Sequence, residues 1–241
     1  MSEIIPDISV SNETSLDSVG SMLVNVFVSP MRVFQRLKVK STWIVPFIIF
    51  VLATAATSYV IAPLAMETQR KEILSSEKYS QEQKDAAIKQ MESFAGFGQA
   101  IGVVGGLIGA AIMVFLSAGI VMFMGTVVFG GAAKYMQLVA VVCFAQLPSV
   151  LGQIIKTPLM AAKHTMDIRT SLAVLLPGGD IKSLAYFFLN TLTDVFFIWE
   201  ILLMIAGVMV VYNFAKGKAS AAILIPVGVI MAVVGVLKAV L

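Results

Sequence analysis

The sequence predicts an all-α integral membrane protein: a bundle of five transmembrane helices with a basic amphipathic helix at the interface before the first. Three observations carry this. Of 241 residues, 59% are hydrophobic and only 13% charged, against about 45–50% and about 25% in soluble domains. The mean hydropathy is +0.93. The apolar residues also gather into runs that reach the roughly 20 positions a helix needs to cross the hydrocarbon core. The same composition excludes several function classes. With one cysteine, Cys143, no intrachain disulfide or cysteine metal cluster can form, and with one histidine, His164, no multi-histidine site can. A net charge of +3, without a basic stripe interleaved with aromatics, gives no support for nucleic-acid binding.

Residues 1–28 read as a cytoplasmic tail, partly disordered. Glu3, Asp7, Glu13 and Asp17 give its first 20 residues the wrong charge for a cleaved signal peptide, so the first span is expected to do the targeting. In SPMRVFQRLKVK, residues 29–40, Ser29 can cap a helix and Pro30 can take its first position. Met31, Phe34 and Leu37 share a face while Arg32, Arg36, Lys38 and Lys40 fill the rest, the pattern of a helix on anionic headgroups. It also serves as an ordinary positive flank of the first span.

The five spans are expected at about 43–65, 100–129, 135–156, 184–212 and 221–240, all within one membrane domain over 29–241. Pro46, Pro148 and Pro226 fall inside three of them, which neighbouring helices can accommodate. Trp43, Tyr59, Tyr135, Tyr186 and Tyr212 lie near span ends, as an aromatic belt would. The basic cluster before the first span places the N-terminus in the cytoplasm and, after five spans, the C-terminus outside. Between the first two spans, Ser80 and Gln83 fit a capping box for a solvated helix over 80–93. Asp180, in LPGGD, reads as a turn residue.

SPMRVFQRLKVKSTWIVPFII, the Gly130-Gly131 turn, and FAQLPSVLGQII with Leu147-Pro148 inside the third span together resemble the Yip1 family of small multi-pass membrane proteins. The elements carrying the likeness are Ser29, Pro30, Phe34, Arg36, Lys38, Trp43 and Pro46, and the likeness covers about 30–240. Eukaryotic relatives carry an Asp-Leu-Tyr-Gly-Pro-type motif and a longer tail that engages Rab GTPases; this chain has neither, and resembles the prokaryotic type. The resemblance implies five spans and a cytoplasmic N-terminus; the role expected of the chain is membrane-organising or partner-binding, trafficking-like in eukaryotic relatives. No cofactor is expected.

The second span carries Gly98, Gly102, Gly106 and Ala110 at four-residue spacing, with Gly105 and Gly109 alongside. Such a stripe lets another helix approach closely, from the same chain or from a second copy of it. It lies inside a span and lacks the Lys-Ser/Thr of a phosphate loop. The 14 methionines are expected to fill gaps between helices.

The fourth span, with NTLTDVFFIWEILL at its centre, holds two carboxylates. On one continuous helix Asn190 and Asp194 share a face, and Thr193 and Glu200 share a neighbouring one. Glu200 falls near the midpoint between Lys182 and Lys216, and Asp194 about 9 Å toward the outside. A carboxylate at that depth costs several kcal/mol unless it is paired, wetted, protonated or hydrogen-bonded. The third span offers Gln146, Ser149 and Gln153 as one polar stripe, while Lys156, Lys163, His164 and Arg169 lie where they could reach Asp194. Interhelical glue is one use of such groups. A cavity for protons, cations or a polar solute, as in a small channel or transporter, is the other. Asp194 and Glu200 are too far apart for a carboxyl dyad, and no nucleophile motif accompanies His164, so no catalysis is expected.

Overall fold

The computed structural model describes residues 18–176 and 183–240; residues 1–17 of the tail, and Asp180 and Lys182, lie outside the described residues. The chain is all-helical among those described, and five helical stretches are long and apolar enough to cross a membrane: Ile44–Ser75, Ala100–Val128, Tyr135–Lys163, Val195–Tyr212 and Lys216–Lys238. The expected fold class holds. In order the helices are α1 (Val19–Val28), α2 (Pro30–Val39), α3 (Ile44–Ser75), α4 (Gln81–Met122), α5 (Tyr135–Ala145), α6 (Leu147–Lys163), α7 (Leu184–Leu192), α8 (Val195–Tyr212) and α9 (Lys216–Val240).

Part of the stretch read as tail is helical. Ser18 caps α1 by accepting from the Ser21 amide at 3.1 Å, and α1 buries Met22 and Val26 in the core. The next helix, α2, forms where Pro30 predicts it, but the Ser29 side chain makes no capping bond. Its apolar face is Val33, Phe34 and Leu37, all completely buried, while Met31 is exposed. That face rests on α5 and α8 rather than on lipid. Gly207 of α8 makes the fit: a methyl group there would collide with Val141 and come within 3.2 Å of Phe34 Cε1. Arg32, Lys38 and Lys40 on the other face remain exposed.

The first two spans form an antiparallel pair, α3 and α4, that runs past the expected ends. At 1.5 Å per residue, 32 and 42 residues span about 48 and 63 Å, well beyond a core of roughly 30 Å. Ser80 and Gln83 do form the capping box, at 3.3 and 2.9 Å. The helix they start is continuous with the second span, since no proline or turn interrupts 81–122. Arg70 and Glu92 face each other across the projecting part at 3.7 Å.

The glycine stripe is only partly used within the chain. At Gly106 an added methyl would lie 2.6 Å from Ser58 Oγ on α3, and Ala110 is buried, whereas Gly102, Gly105 and Gly109 have open space beside them. The surroundings of Gly98 lie outside the described residues. Most of the aromatic belt is turned inward as well. Tyr135 donates to the Phe115 carbonyl at 2.8 Å, Tyr212 Oη lies 3.0 Å from Thr126 Oγ1, and Tyr186 donates to Asp167. Trp43 packs edge-on against Phe47 and Phe115, and only Tyr59 stays exposed. A phenol that finds a protein partner does not need the headgroup region.

Two of the expected spans are interrupted. The third turns at Gln146 between α5 and α6, where Pro148 sits in the first turn of α6 and cannot donate to a preceding carbonyl. The fourth is not one helix over 184–212. It breaks at Thr193 and Asp194, because the Asp194 carboxylate accepts from the Phe196 and Phe197 amides at 3.0 and 3.2 Å and so caps α8. Aspartate competes with helical backbone bonding and favours such starts. Only α8 is left to cross, about 27 Å long, and α5 lies at the centre with every residue from Leu138 to Ala145 buried.

Candidate functional site

The polar side chains of the bundle gather around one cavity of about 240 Å³ between α3, α6 and α8. The sequence of α6 places Ser149, Gln153, Lys156 and Thr157 toward it, and Gly152 lets α8 close in, since a methyl there would press on the Phe196 ring at 2.9 Å. Ser149, on the cavity wall, donates through Oγ to Glu200 Oε2, a carboxylate outside the lining itself. Along the α3 side Thr57 Oγ1 donates to Gln153 Oε1 at 3.3 Å and lies 3.0 Å from Thr157 Oγ1.

At the opposite rim Lys156 Nζ sits 2.6 Å from Asp194 Oδ2, and the same oxygen accepts from Thr170. The Lys156 ammonium is also 5.5 Å from the centre of the Phe196 ring, within cation–π range. A charged pair tied to a helix cap fixes the position of α8 against α6, two jobs for one carboxylate.

The break at Asp194 rearranges the other expected residues. Asn190 Oδ1 accepts from Ser171 Oγ at 2.6 Å, and Thr193 Oγ1 accepts from the Leu172 amide at 2.8 Å while donating to the Leu189 carbonyl at 2.6 Å. Both therefore hold the 165–176 connection to α7 and not the cavity. Glu200 lies five residues into α8, about 7.5 Å along the axis from its start. Gln146 is 8% exposed, and its Oε1 has no hydrogen-bond partner among the described residues.

Of the four outer residues named for Asp194, Lys156 forms the ion pair with it, while His164 and Arg169 turn elsewhere. His164 terminates α6 in the left-handed region, φ 49°, with its amide on the Met160 carbonyl. Arg169 turns to Asp167 instead, Nη2 to Oδ2 at 2.5 Å, and also donates to the Ala173 carbonyl at 3.2 Å. The Arg169 guanidinium, aided by the Tyr186 hydroxyl, holds the Asp167 carboxyl below its usual range against the opposing effect of burial.

Thr57, Thr157 and Thr170 were not singled out in the sequence, nor was the Asp167–Arg169–Tyr186 network. The first-span run ATAATS was the available signal, since Thr54, Thr57 and Ser58 recur at helical spacing in an apolar helix. A threonine that can bond back to its own helix is easily passed over, and Thr54 does so, to the Phe50 carbonyl at 2.9 Å.

The lining offers hydrogen bonds and the Lys156–Asp194 ion pair, with the Glu200 carboxylate bonded to Ser149 beside it. Among the described residues no three His, Cys, Asp or Glu side chains cluster to hold a metal ion. No curated protein and no solved structure matches the chain. A family model described as the Yip1 domain does match, over residues 24–237, from the middle of α1 to the end of α9. It takes in the basic helix, all five crossing helices and the polar cavity between them, and the chain belongs to the Yip1 domain family.

Proposed function

We propose that this chain is a non-catalytic membrane-organising or partner-binding protein of the prokaryotic Yip1 type, a single domain over 29–241 in the cytoplasmic membrane. The N-terminus is cytoplasmic in this reading and the C-terminus outside. Arg32, Lys38, Lys40, Lys134, Lys216 and Lys218 all lie at one end of the bundle, and we assign that end to the cytoplasm and its anionic headgroups. Gly102, Gly105 and Gly109, open on α4, would face a partner helix or a second copy.

One observation carries the preference for organising over conducting. The polar lining of the cavity ends at Ser149, and the neighbouring core of Leu138 to Ala145 with Leu203, Met204 and Val208 is apolar and buried. Beyond Gln146, ions or polar solutes crossing that half would meet apolar side chains that cannot replace their water. The second reading, a small channel or transporter for protons, cations or a polar solute, is favoured by Gln146, whose free Oε1 lies on the same stripe a turn beyond Ser149.

Proteoliposomes separate the two. The expected result is no proton or cation flux above protein-free vesicles under any imposed gradient, with vesicle size and shape changing as the protein-to-lipid ratio rises. Flux that is present in the parent and lost in Glu200→Gln would establish transport in place of organisation.

A further inference from the structure

Contacts between three segments assemble the basic end of the bundle. Gln137 Nε2 donates to the Lys38 carbonyl, which ties the end of α2 to the start of α5. Gly131 leaves no room for a methyl group beside the Tyr212 and Phe214 rings, and Lys218 Nζ stands 4.3 Å from the centre of the Phe214 ring. The turn before α5 and the turn before α9 therefore meet. The charge gathered here has one sign. Arg32, Lys38, Lys40, Lys134, Lys216 and Lys218 stand at this end, whereas every Asp and Glu among the described residues lies between 67 and 92, at Asp167, or at Asp194 and Glu200. Glu200, on the same helix, is about 20 Å along the axis from Asn213.

An open cavity of about 550 Å³ lies at this end, between α2 and the turn from α8 into α9. Its α2 wall is Met31, Gln35 and Lys38, one helical face distinct from the buried face of Val33, Phe34 and Leu37. Three lining side chains are polar and exposed: Gln35, Lys38 and Asn213. Among the described residues the Lys38 ammonium has no carboxylate partner, and the side-chain amides of Gln35 and Asn213 make no hydrogen bond to the protein. The remaining wall is apolar, with Met31, Met209, Val210 and Phe214. A cation would meet no opposite charge in this lining. A free inorganic anion would use Lys38 and the amides but leave the apolar wall without a partner. An amphiphile with an anionic head uses both halves, and basic pockets between spans at the headgroup level recognise such heads. Primary amides donate to phosphate oxygens and accept from hydroxyls, so the two amides also suit a hydroxylated headgroup.

We propose that the cavity between α2 and the α8–α9 turn seats one anionic phospholipid with a hydroxylated headgroup. Its phosphodiester lies on the Lys38 ammonium and the amides of Gln35 and Asn213, and its apolar part lies against Met31, Met209 and Val210. The proposal rests on the assignment of the basic end to an anionic headgroup layer, and sharpens that diffuse attraction into a single site.

The test places the full chain in nanodiscs of phosphatidylcholine with increasing phosphatidylglycerol and counts the lipids retained on the protein by native mass spectrometry. One phosphatidylglycerol per chain should be retained in preference to phosphatidylcholine. Lys38→Gln should lower the apparent affinity about tenfold, the scale of one lost hydrogen bond to a charged group. Asn213→Gly removes the amide but keeps the left-handed backbone, φ 60°, that position 213 adopts, and should weaken retention as well. Lys134→Gln removes an equal charge from the same end but outside the lining, and should leave the affinity within about twofold of the parent. Equal losses in Lys38→Gln and Lys134→Gln, or full retention in Lys38→Gln, would overturn the site while leaving the basic end on anionic headgroups. No preference for phosphatidylglycerol in the parent would overturn both the site and that assignment. Release of the lipid by inorganic phosphate, but not by chloride at the same ionic strength, would overturn the lipid as occupant in favour of a free anion.

Discussion

Lys156 and Asp194, 38 positions apart, meet at 2.6 Å with side chains only 22% and 14% exposed. The pair closes the gap between the third span and the start of the fourth, at a point where the fourth span has stopped being a continuous helix. Through Thr170 on the same carboxylate oxygen, it also secures the connection that leads to α7.

The first prediction follows from the two roles of Asp194. Lys156→Met should cost about 3 kcal/mol, because it leaves a largely buried carboxylate without its cation. Asp194→Asn keeps a capping side chain and loses the charge, whereas Asp194→Ala loses both and should be less stable than Asp194→Asn by about 1 kcal/mol. The double variant Lys156→Met/Asp194→Asn should recover most of the loss. Thermal unfolding in nanodiscs measures all four, and a fully additive double variant would show that the pair does not couple α6 to α8.

The second concerns the docking of α2. Phe34 is completely buried against the face of α8 that Gly207 keeps bare. Gly207→Ala should destabilise the bundle by about 1–3 kcal/mol through overpacking against Val141 and Phe34. Amide exchange across 30–39 should rise at the same time. If α2 instead lay on the lipid surface, exchange there would not respond to a methyl group on α8.

Hydropathy and charge made the five crossings legible because lipid imposes length and apolarity on each segment alone. What they could not show is which faces neighbouring helices cover. Val33 and Leu37 are buried by α5 and α8, and no pattern within 29–40 distinguishes that cover from lipid. Ser149 and Glu200 were legible as polar groups in two adjacent spans, since few such groups exist in them. Asn190 and Thr193 were misplaced for one reason: Asp194 was read as a residue within a helix, although aspartate at a helix start has a backbone use of its own. Thr57 escaped because its partners lie 96 and 100 positions away in the sequence.

The third prediction isolates the projecting hairpin. Ser80→Ala removes the side-chain acceptor for the Gln83 amide and should cost about 1 kcal/mol of local helix stability. The effect should be confined to faster amide exchange over the first turns of α4, with Tm nearly unchanged, because this end stands clear of the packed core. A large fall in Tm would mean that the hairpin is part of the cooperative unit that unfolds with the spans.

The last prediction is a pH dependence outside the membrane. Asp167 accepts from Arg169 and Tyr186, and the Arg169 guanidinium is the chief reason that its carboxyl is held below the ordinary range. A carboxyl depressed on folding releases its proton more readily in the native state than in the unfolded one, so its contribution is fully present above the unfolded value of about 3.9. It is lost as pH falls from there through the lower folded value. Asp167→Asn should thus be less stable than the parent at pH 7, and the gap should close as pH drops below about 4, where the parent loses the same interaction by protonation. Tyr186→Phe removes the secondary donor and should narrow the gap without abolishing it. The comparison needs unfolding curves for the three proteins from pH 7 to 3 at constant ionic strength; a gap that stays the same across that range would show that the Asp167 charge contributes nothing to holding the 165–176 connection in place.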